Sequence, residues 1–258
     1  MASALSYISF WEGKEIDATS IVIGKDLQDL NQKIATEFLK VLDTSIMASG
    51  RFTLALSGGS TPKSLYALLA GPEFQTQIPW PKVHLFWGDE RCVPPDHPDS
   101  NYGMVHEAIL SKVAIPAENV HRIEGEKDPQ VAASLYEQGM RKFFAIPEGQ
   151  FPRFDLILLG LGEDGHTASL FPGSEALQES KRLVAAPYVE KLGSYRLTLT
   201  LPVLNHAANI FFLVAGKDKA RVLRAVLREK GGSEVVPARL VQPVQGRLIW
   251  FVVGKQLL

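Results

Sequence analysis

The sequence predicts an α/β protein built on an open, mostly parallel sheet with helices on both faces. Three observations carry that expectation. Short, unbroken apolar runs bounded by turn residues recur along the chain: LILL at 156–159, NIFFLVA at 209–215 and LIWFVV at 248–253. Runs of this kind fit strands buried on both faces of a parallel sheet. Between them lie stretches whose apolar residues recur at three- and four-residue steps, the mark of helices with one buried face. Strands alternating with helices imply right-handed crossovers, which keep neighbouring strands parallel.

The elements follow in order. Residues 20–23 (SIVI) read as a short strand. Asp26 caps a helix through Leu27, Leu30, Ile34, Phe38, Val41 and Leu42, and Gly50 ends it. Residues 52–56 form the second strand, which runs into Ser57-Gly58-Gly59-Ser60-Thr61-Pro62. Thr61 is a good N-cap and Pro62 a good first helical residue, so a helix carrying Leu65, Leu68 and Leu69 is expected to start there. Pro79-Trp80-Pro81 closes that unit. Residues 83–87 form a strand ending in Gly88-Asp89-Glu90-Arg91. Ser100 caps a helix toward Leu110, and Asp128-Pro129 opens another through Leu135, Met140 and Phe144.

A buried strand then begins at Asp155. Residues 195–201 alternate Leu197, Leu199 and Leu201 with Thr198 and Thr200, which fits a strand with one more polar face. After the strand at 209–215, Asp218 is expected to cap a helix through Val222, Val226 and Leu227, before the last strand at 248–253. One domain over 1–258 is the expected organisation, with the 195–201 region as a small subdomain.

Composition narrows the function. At 258 residues, 46% hydrophobic and 21% charged, the chain has the make-up of an ordinary globular protein. Its formal net charge of −1 gives no global attraction to nucleic acid or membrane, so any anion site must be local. The single cysteine, Cys92, excludes an internal disulfide and a multi-cysteine metal cluster and suits a reducing compartment. No apolar run approaches membrane-spanning length. The first twenty residues lack the basic flank and apolar core of a secretory signal. A cytoplasmic monomer is the expectation.

The chemistry is expected in residues 154–174, FDLILLGLGEDGHTASLFPGS. A buried strand here delivers Asp164 and His166 on a glycine-rich turn, at the carboxyl end where open α/β sheets bind ligands. Residues 160–165 also match G-x-G-x-x-G, the dinucleotide fingerprint. That motif needs a following helix, and Pro172-Gly173 interrupts after little more than one turn. The glycines are read instead as letting the backbone approach a small substrate.

Other candidates stand at strand ends. Ser57, Gly58, Gly59, Ser60 and Thr61 precede a helix start, where free amide groups and hydroxyls can cradle a phosphate; the alternative is a tight turn with a capping serine. Asp89-Glu90-Arg91 cannot all face one way, so one or two turn into the cleft, unless the triplet is a solvated cluster. Arg196 and Lys217/Lys219 are the remaining basic candidates, Arg196 for its bidentate fork. Cys92 has no histidine beside it in sequence and reads as structural. The other five histidines lack metal-ligand spacing, so no metal is expected.

With these residues in view, the chain resembles the 6-phosphogluconolactonase family, which shares its fold with glucosamine-6-phosphate deaminases. The matching stretches are LALSGGSTP (54–62), FWGDERCVPPDHPDSNYGM (86–104), the 154–174 stretch, RLTLTLPVLNHA (196–207) and LVQP (240–243). The resemblance implies a Rossmann-like fold, no cofactor, and hydrolysis of 6-phospho-D-glucono-1,5-lactone to 6-phosphogluconate. It also implies roles. The serine–glycine loop would hold the 6-phosphate, with Arg196 and Lys219 as cationic clamps and Glu90 at the substrate. His166 would be the general base, a role suited to an imidazole with its ordinary pKa of about 6.5. Arg91 would stabilise the oxyanion or hold the substrate, while Asp89 and Asp164 orient these groups.

Two rivals are weaker. The related deaminases follow their Asp-Gly-His turn with Phe-Asn-Glu-Pro, whose glutamate partners the histidine; here Phe171 stands in that glutamate's place. A sugar-phosphate sensor should carry a DNA-binding helix-turn-helix and a basic stripe, and neither is visible in the sequence.

Overall fold

The computed structural model describes residues 19–228 and 235–254, so the reading of residues 1–18 as part of a non-secretory N-terminus lies outside it. Strand β1 (Thr19–Gly24) leads into α1 (Leu27–Ser49), whose cap is the one expected: the Asp26 carboxylate accepts from the Asp29 amide. Leu30, Ile34, Phe38 and Leu42 are fully buried, and Gly50 closes the helix in the left-handed region at φ 76°. Strand β2 (Phe52–Leu56) is buried at every residue.

Helix α2 (Ser60–Leu69) starts two residues earlier than its sequence suggests. Gly59 stands at the cap, and no side chain takes up that role. Thr61 and Pro62 therefore fall inside the first turn, where a missing proline N–H removes no helical hydrogen bond.

Strand β3 (Val83–Trp87) continues through Gly88 into a short strand, β4 (Asp89–Arg91). Ser100 caps α3 (Asn101–Val105) by accepting from the Gly103 amide, and a π-helical turn (His106–Leu110) extends it. A two-residue strand, β5 (Val120–His121), precedes α4 (Pro129–Phe144), which Asp128 caps through the amides of Gln130 and Val131. Strand β6 (Leu156–Gly160) is the apolar run of the central stretch.

Three short strands follow, β7 (Val184–Ala185), β8 (Tyr188–Val189) and β9 (Ser194–Leu199). Then come α5 (Leu201–Asn205), β10 (Asn209–Val214), α6 (Ala220–Arg228) and β11 (Arg247–Val253). Asp218 does not cap α6. It sits within a 3-10 turn (Lys217–Lys219) that precedes the helix, with its carboxylate 2.7 Å from Lys219 Nζ.

The strands form two sheets. Seven parallel strands run in the order β1-β11-β10-β6-β2-β3-β5, which places β6 at the centre. Helices lie on both faces, and unbroken burial along β2, and along β10 beyond Asn209, reflects that cover. A smaller antiparallel sheet, β4-β9-β7 with β8 on β9, is the subdomain. Its threonine face is not solvated: Thr198 and Thr200 are completely buried. Thr198 Oγ1 accepts from the Ser169 amide, and Thr200 Oγ1 donates to the Arg182 carbonyl, so the polar side of the alternation faces loops.

Two buried tyrosines fix the points where the chain leaves the main sheet. Tyr66 Oη accepts from the Ser57 amide and donates to the Ser57 carbonyl, both at 3.0 Å. Tyr136 Oη does the same for Trp87, at 2.8 and 3.0 Å. Each pair satisfies backbone groups that no neighbouring strand can reach. No helix among the described residues is long and apolar enough to cross a membrane.

Candidate active site

The carboxyl ends of β2, β6 and β10 open onto a cleft of about 290 Å³. It lies where the order of the sheet reverses, since β2 leads on to β3 on one side while β6 leads toward β10 on the other. Connections that diverge in this way leave a crevice between them. Ser57 to Pro62, Asp89, Arg91, Asn101, Gly160 to Gly162, His166 to Ala168 and Lys219 contribute to its wall.

The serine–glycine loop enters the cleft already held by Tyr66. Ser57 Oγ is buried without a hydrogen-bond partner, which is costly unless a ligand completes it. A Cβ on Gly58 would lie 2.0 Å from Asn101 Oδ1, so only glycine lets that side chain cross the loop. Beyond it, α2 begins at Ser60, and its first turn presents amide groups with no helical acceptor, the arrangement that attracts anions.

The Asp89-Glu90-Arg91 triplet divides by strand alternation. Asp89 and Arg91 face the cleft. Asp89, only 8% exposed, accepts from Ser169 Oγ at 2.8 Å, while Asn101 Nδ2 donates to its carbonyl at 2.9 Å. An Arg91 Nη1 hydrogen bond reaches the Asp99 carbonyl. Glu90, expected at the substrate, is not on the cleft wall. Its buried carboxylate accepts from the amides of Asn101 and Tyr102 at 2.7 Å each, and from the Arg91 amide at 2.8 Å. Glu90 thus anchors the start of α3; burial pushes its carboxyl up, against the pull of those amides.

The turn after β6 brings Asp164 and His166 together. His166 Nδ1 lies 2.6 Å from Asp164 Oδ1, which also accepts from the His166 amide at 3.2 Å. Burial pushes the Asp164 carboxyl up. The hydrogen bonds and charge of His166, together with Lys191, outweigh burial and bring it down to about 2. An ionised Asp164 accepts the Nδ1 proton and leaves Nε2 free to take one. Two neighbours fix the ring: Phe171 stacks on it with centroids 4.3 Å apart, and Gly162 lies against it. A Cβ at position 162 would sit 2.0 Å from Nδ1, so the fingerprint glycine makes room for the histidine itself.

The remaining basic residues separate. Lys219 lies on the cleft wall, paired with Asp218 and, at 3.6 Å, with Glu163. Lys217 is exposed and off the wall. Arg196 stands directly opposite Arg91 across β4 and β9 but does not line the cleft. Burial, and then the Arg91 charge, lowers its pKa. Burial pushes the Cys92 thiol up, away from reactivity. Among the described residues, no three His, Cys, Asp or Glu side chains gather as a metal site requires.

Sequence reasoning missed Asn101, Ser169 and Lys191. Asn101 stood next to a recognised cap and was absorbed into the helix. Ser169 and Lys191 act across 80 and 27 residues of chain, separations that no local pattern encodes.

The chain matches the family model described as glucosamine-6-phosphate isomerases/6-phosphogluconolactonase over residues 25–250. It is 47% identical over 215 residues to a 6-phosphogluconolactonase of Nostoc sp., covering 83% of this chain and 87% of the relative. The structure of 6-phosphogluconolactonase from Trypanosoma cruzi is similar with a TM-score of 0.81 and 29% identity, covering 92% of this chain and 94% of the other. A monomeric glucosamine-6-phosphate deaminase shares the fold, with a TM-score of 0.75, 17% identity and coverage of 92% and 98%.

Proposed function

The chain belongs to the glucosamine-6-phosphate isomerase/6-phosphogluconolactonase family, and on that premise we propose that it hydrolyses 6-phospho-D-glucono-1,5-lactone to 6-phospho-D-gluconate, the second step of the oxidative pentose phosphate pathway. The observation that carries the reading is the Asp164–His166 pair, with the imidazole on the wall of the same cleft as the serine–glycine loop.

In this reading His166 Nε2 takes a proton from a water as its oxygen attacks the lactone carbonyl. The ring then returns the proton to the endocyclic oxygen as that leaves. Asp164 holds the tautomer and stabilises the imidazolium between the two steps. Arg91 stabilises the oxyanion or holds the substrate, with Asp89 positioned by Ser169 and Asn101 beside it. Ser57 to Thr61 and Lys219 bind the phosphate from the cleft wall, and Arg196 reaches it from its place opposite Arg91, off that wall.

A deaminase relay would need a carboxylate where Phe171 instead stacks its ring on His166. We place the enzyme in the cytoplasm, a reducing setting that suits its single thiol.

The test is hydrolysis of freshly generated 6-phosphogluconolactone, measured against its spontaneous opening. The wild type should accelerate it, and His166→Ala should lose about 10²–10⁴-fold in kcat while KM changes little. Near-wild-type turnover by a folded His166→Ala protein would remove the base from the mechanism.

A further inference from the structure

Asp164 offers two carboxylate oxygens, and each holds a different partner. Oδ1 takes the His166 ring at 2.6 Å; Oδ2 accepts from Lys191 Nζ at 3.2 Å. Lys191 belongs neither to the glycine turn nor to the cleft wall. It sits in the 3-10 turn (Glu190–Leu192) that joins β8 to β9 and that Gly193 closes at φ 58°. Strand β9 also carries Arg196, opposite Arg91, and Thr198, which takes the Ser169 amide. The small sheet therefore fixes where the tip of this hairpin lies relative to the turn after β6.

We propose that Lys191 is a positioning residue for the hydrolysis, acting through Asp164 on His166. Holding Oδ2 fixes the rotation of the carboxylate, so that Oδ1 stays in line with the imidazole. The ammonium also offsets part of the carboxylate charge that faces the ring once it has taken the proton. The other charged groups nearby are Glu163, paired with Lys219, then Glu190 on the hairpin turn, and Asp89 and Arg91 on the cleft wall. Among the described residues, none of these is hydrogen-bonded to Asp164 or His166. The proposal rests on His166 being the base.

The test compares the kcat and KM profiles of wild type, Lys191→Met and Lys191→Arg from about pH 5 to pH 9 at low ionic strength. Lys191→Met should move the acid limb of kcat upward by about half a pH unit, a roughly threefold loss on that limb, and lower the plateau as well, with KM retained. Lys191→Arg should restore the wild-type limb. Added salt should shrink the difference, because the Lys191 side chain is 70% exposed. An unshifted limb in Lys191→Met, with His166→Ala inactive beside it, overturns this inference alone and leaves the pair a surface contact. An active His166→Ala overturns the base assignment and this inference with it.

Discussion

At the scale of single residues, His166 depends on what its neighbours leave open. Gly162 does not take a positive φ, so alanine there needs no left-handed backbone. Its Cβ would nevertheless lie 2.0 Å from His166 Nδ1 and displace the ring from Asp164. We expect Gly162→Ala to keep its melting temperature, within about 1 kcal/mol of stability, while kcat falls by roughly 10²-fold. Unchanged turnover would show that the ring need not sit where it does.

Arg196 tests the opposite side of the site. Two guanidiniums placed opposite each other on antiparallel strands repel, and a dianion between them relieves the repulsion. Arg196→Ala should therefore leave the ligand-free protein no less stable. It should also raise KM for the phosphorylated lactone and weaken competition by inorganic phosphate, by about 2–4 kcal/mol. Equal phosphate competition in mutant and wild type would remove Arg196 from the anion site.

At the scale of elements, the edge of the main sheet carries a pH-sensitive packing that is separate from the cleft. His84 on β3 and His121 on β5 have ring nitrogens 3.3 Å apart, a hydrogen bond in which one ring must be neutral to accept and which is lost when both are protonated. Phe86 and Phe143 pack around His121, with ring centroids at 4.2 and 4.9 Å. The Arg51 guanidinium lies over Phe143, and Glu118 is the acidic group near His84. Burial lowers both pKa values; for His121, burial and then His84 bring it to about 4.

A base whose folded-state pKa is depressed leaves the folded state short of protons as pH falls. Stability is therefore full above about pH 6.5 and declines as the pH drops toward 4. Water reaches part of the His121 ring, so its share of the loss is roughly 1–2 kcal/mol. His121→Phe, which keeps the stacking surface, should flatten the decline in melting temperature between these pH values. If mutant and wild type lose stability in parallel, the acid sensitivity lies elsewhere.

At the scale of the whole molecule, the sheet closes on its own ends. Strand β11, last among the described residues, lies between β1, the first of them, and β10, and Trp250 stacks on Phe212 with centroids 3.8 Å apart. The small sheet is tied to the main one through Gly88, between β3 and β4: Gly88 donates its amide to the Leu56 carbonyl and accepts from the Leu199 amide. We propose that the chain is a single domain and unfolds as one. In urea, far-ultraviolet circular dichroism and tryptophan fluorescence should trace one coincident transition. Trp250→Ala should move both probes together by about 3–5 kcal/mol. Two separated transitions would make the small sheet a domain of its own.

The sequence by itself determined the long elements and the chemical end of the central strand. Apolar runs covered on both faces, the caps at Asp26, Ser100 and Asp128, and the Asp164–His166 turn are local properties, set by side chains within a few residues of one another. The tertiary structure decided the rest. Glu90 could not be told from Asp89 and Arg91 by its neighbours in the chain; the start of α3, eleven residues on, claims its carboxylate. Strand β5 is too short for a periodic pattern, and Thr198 on β9, with Thr200 just beyond it, shows a polar face that only neighbouring loops bury. Lys191 reaches Asp164 because an antiparallel sheet sets a hairpin beside a turn. A pairing of that kind depends on how strands register in space, and adjacency in the chain carries no record of it.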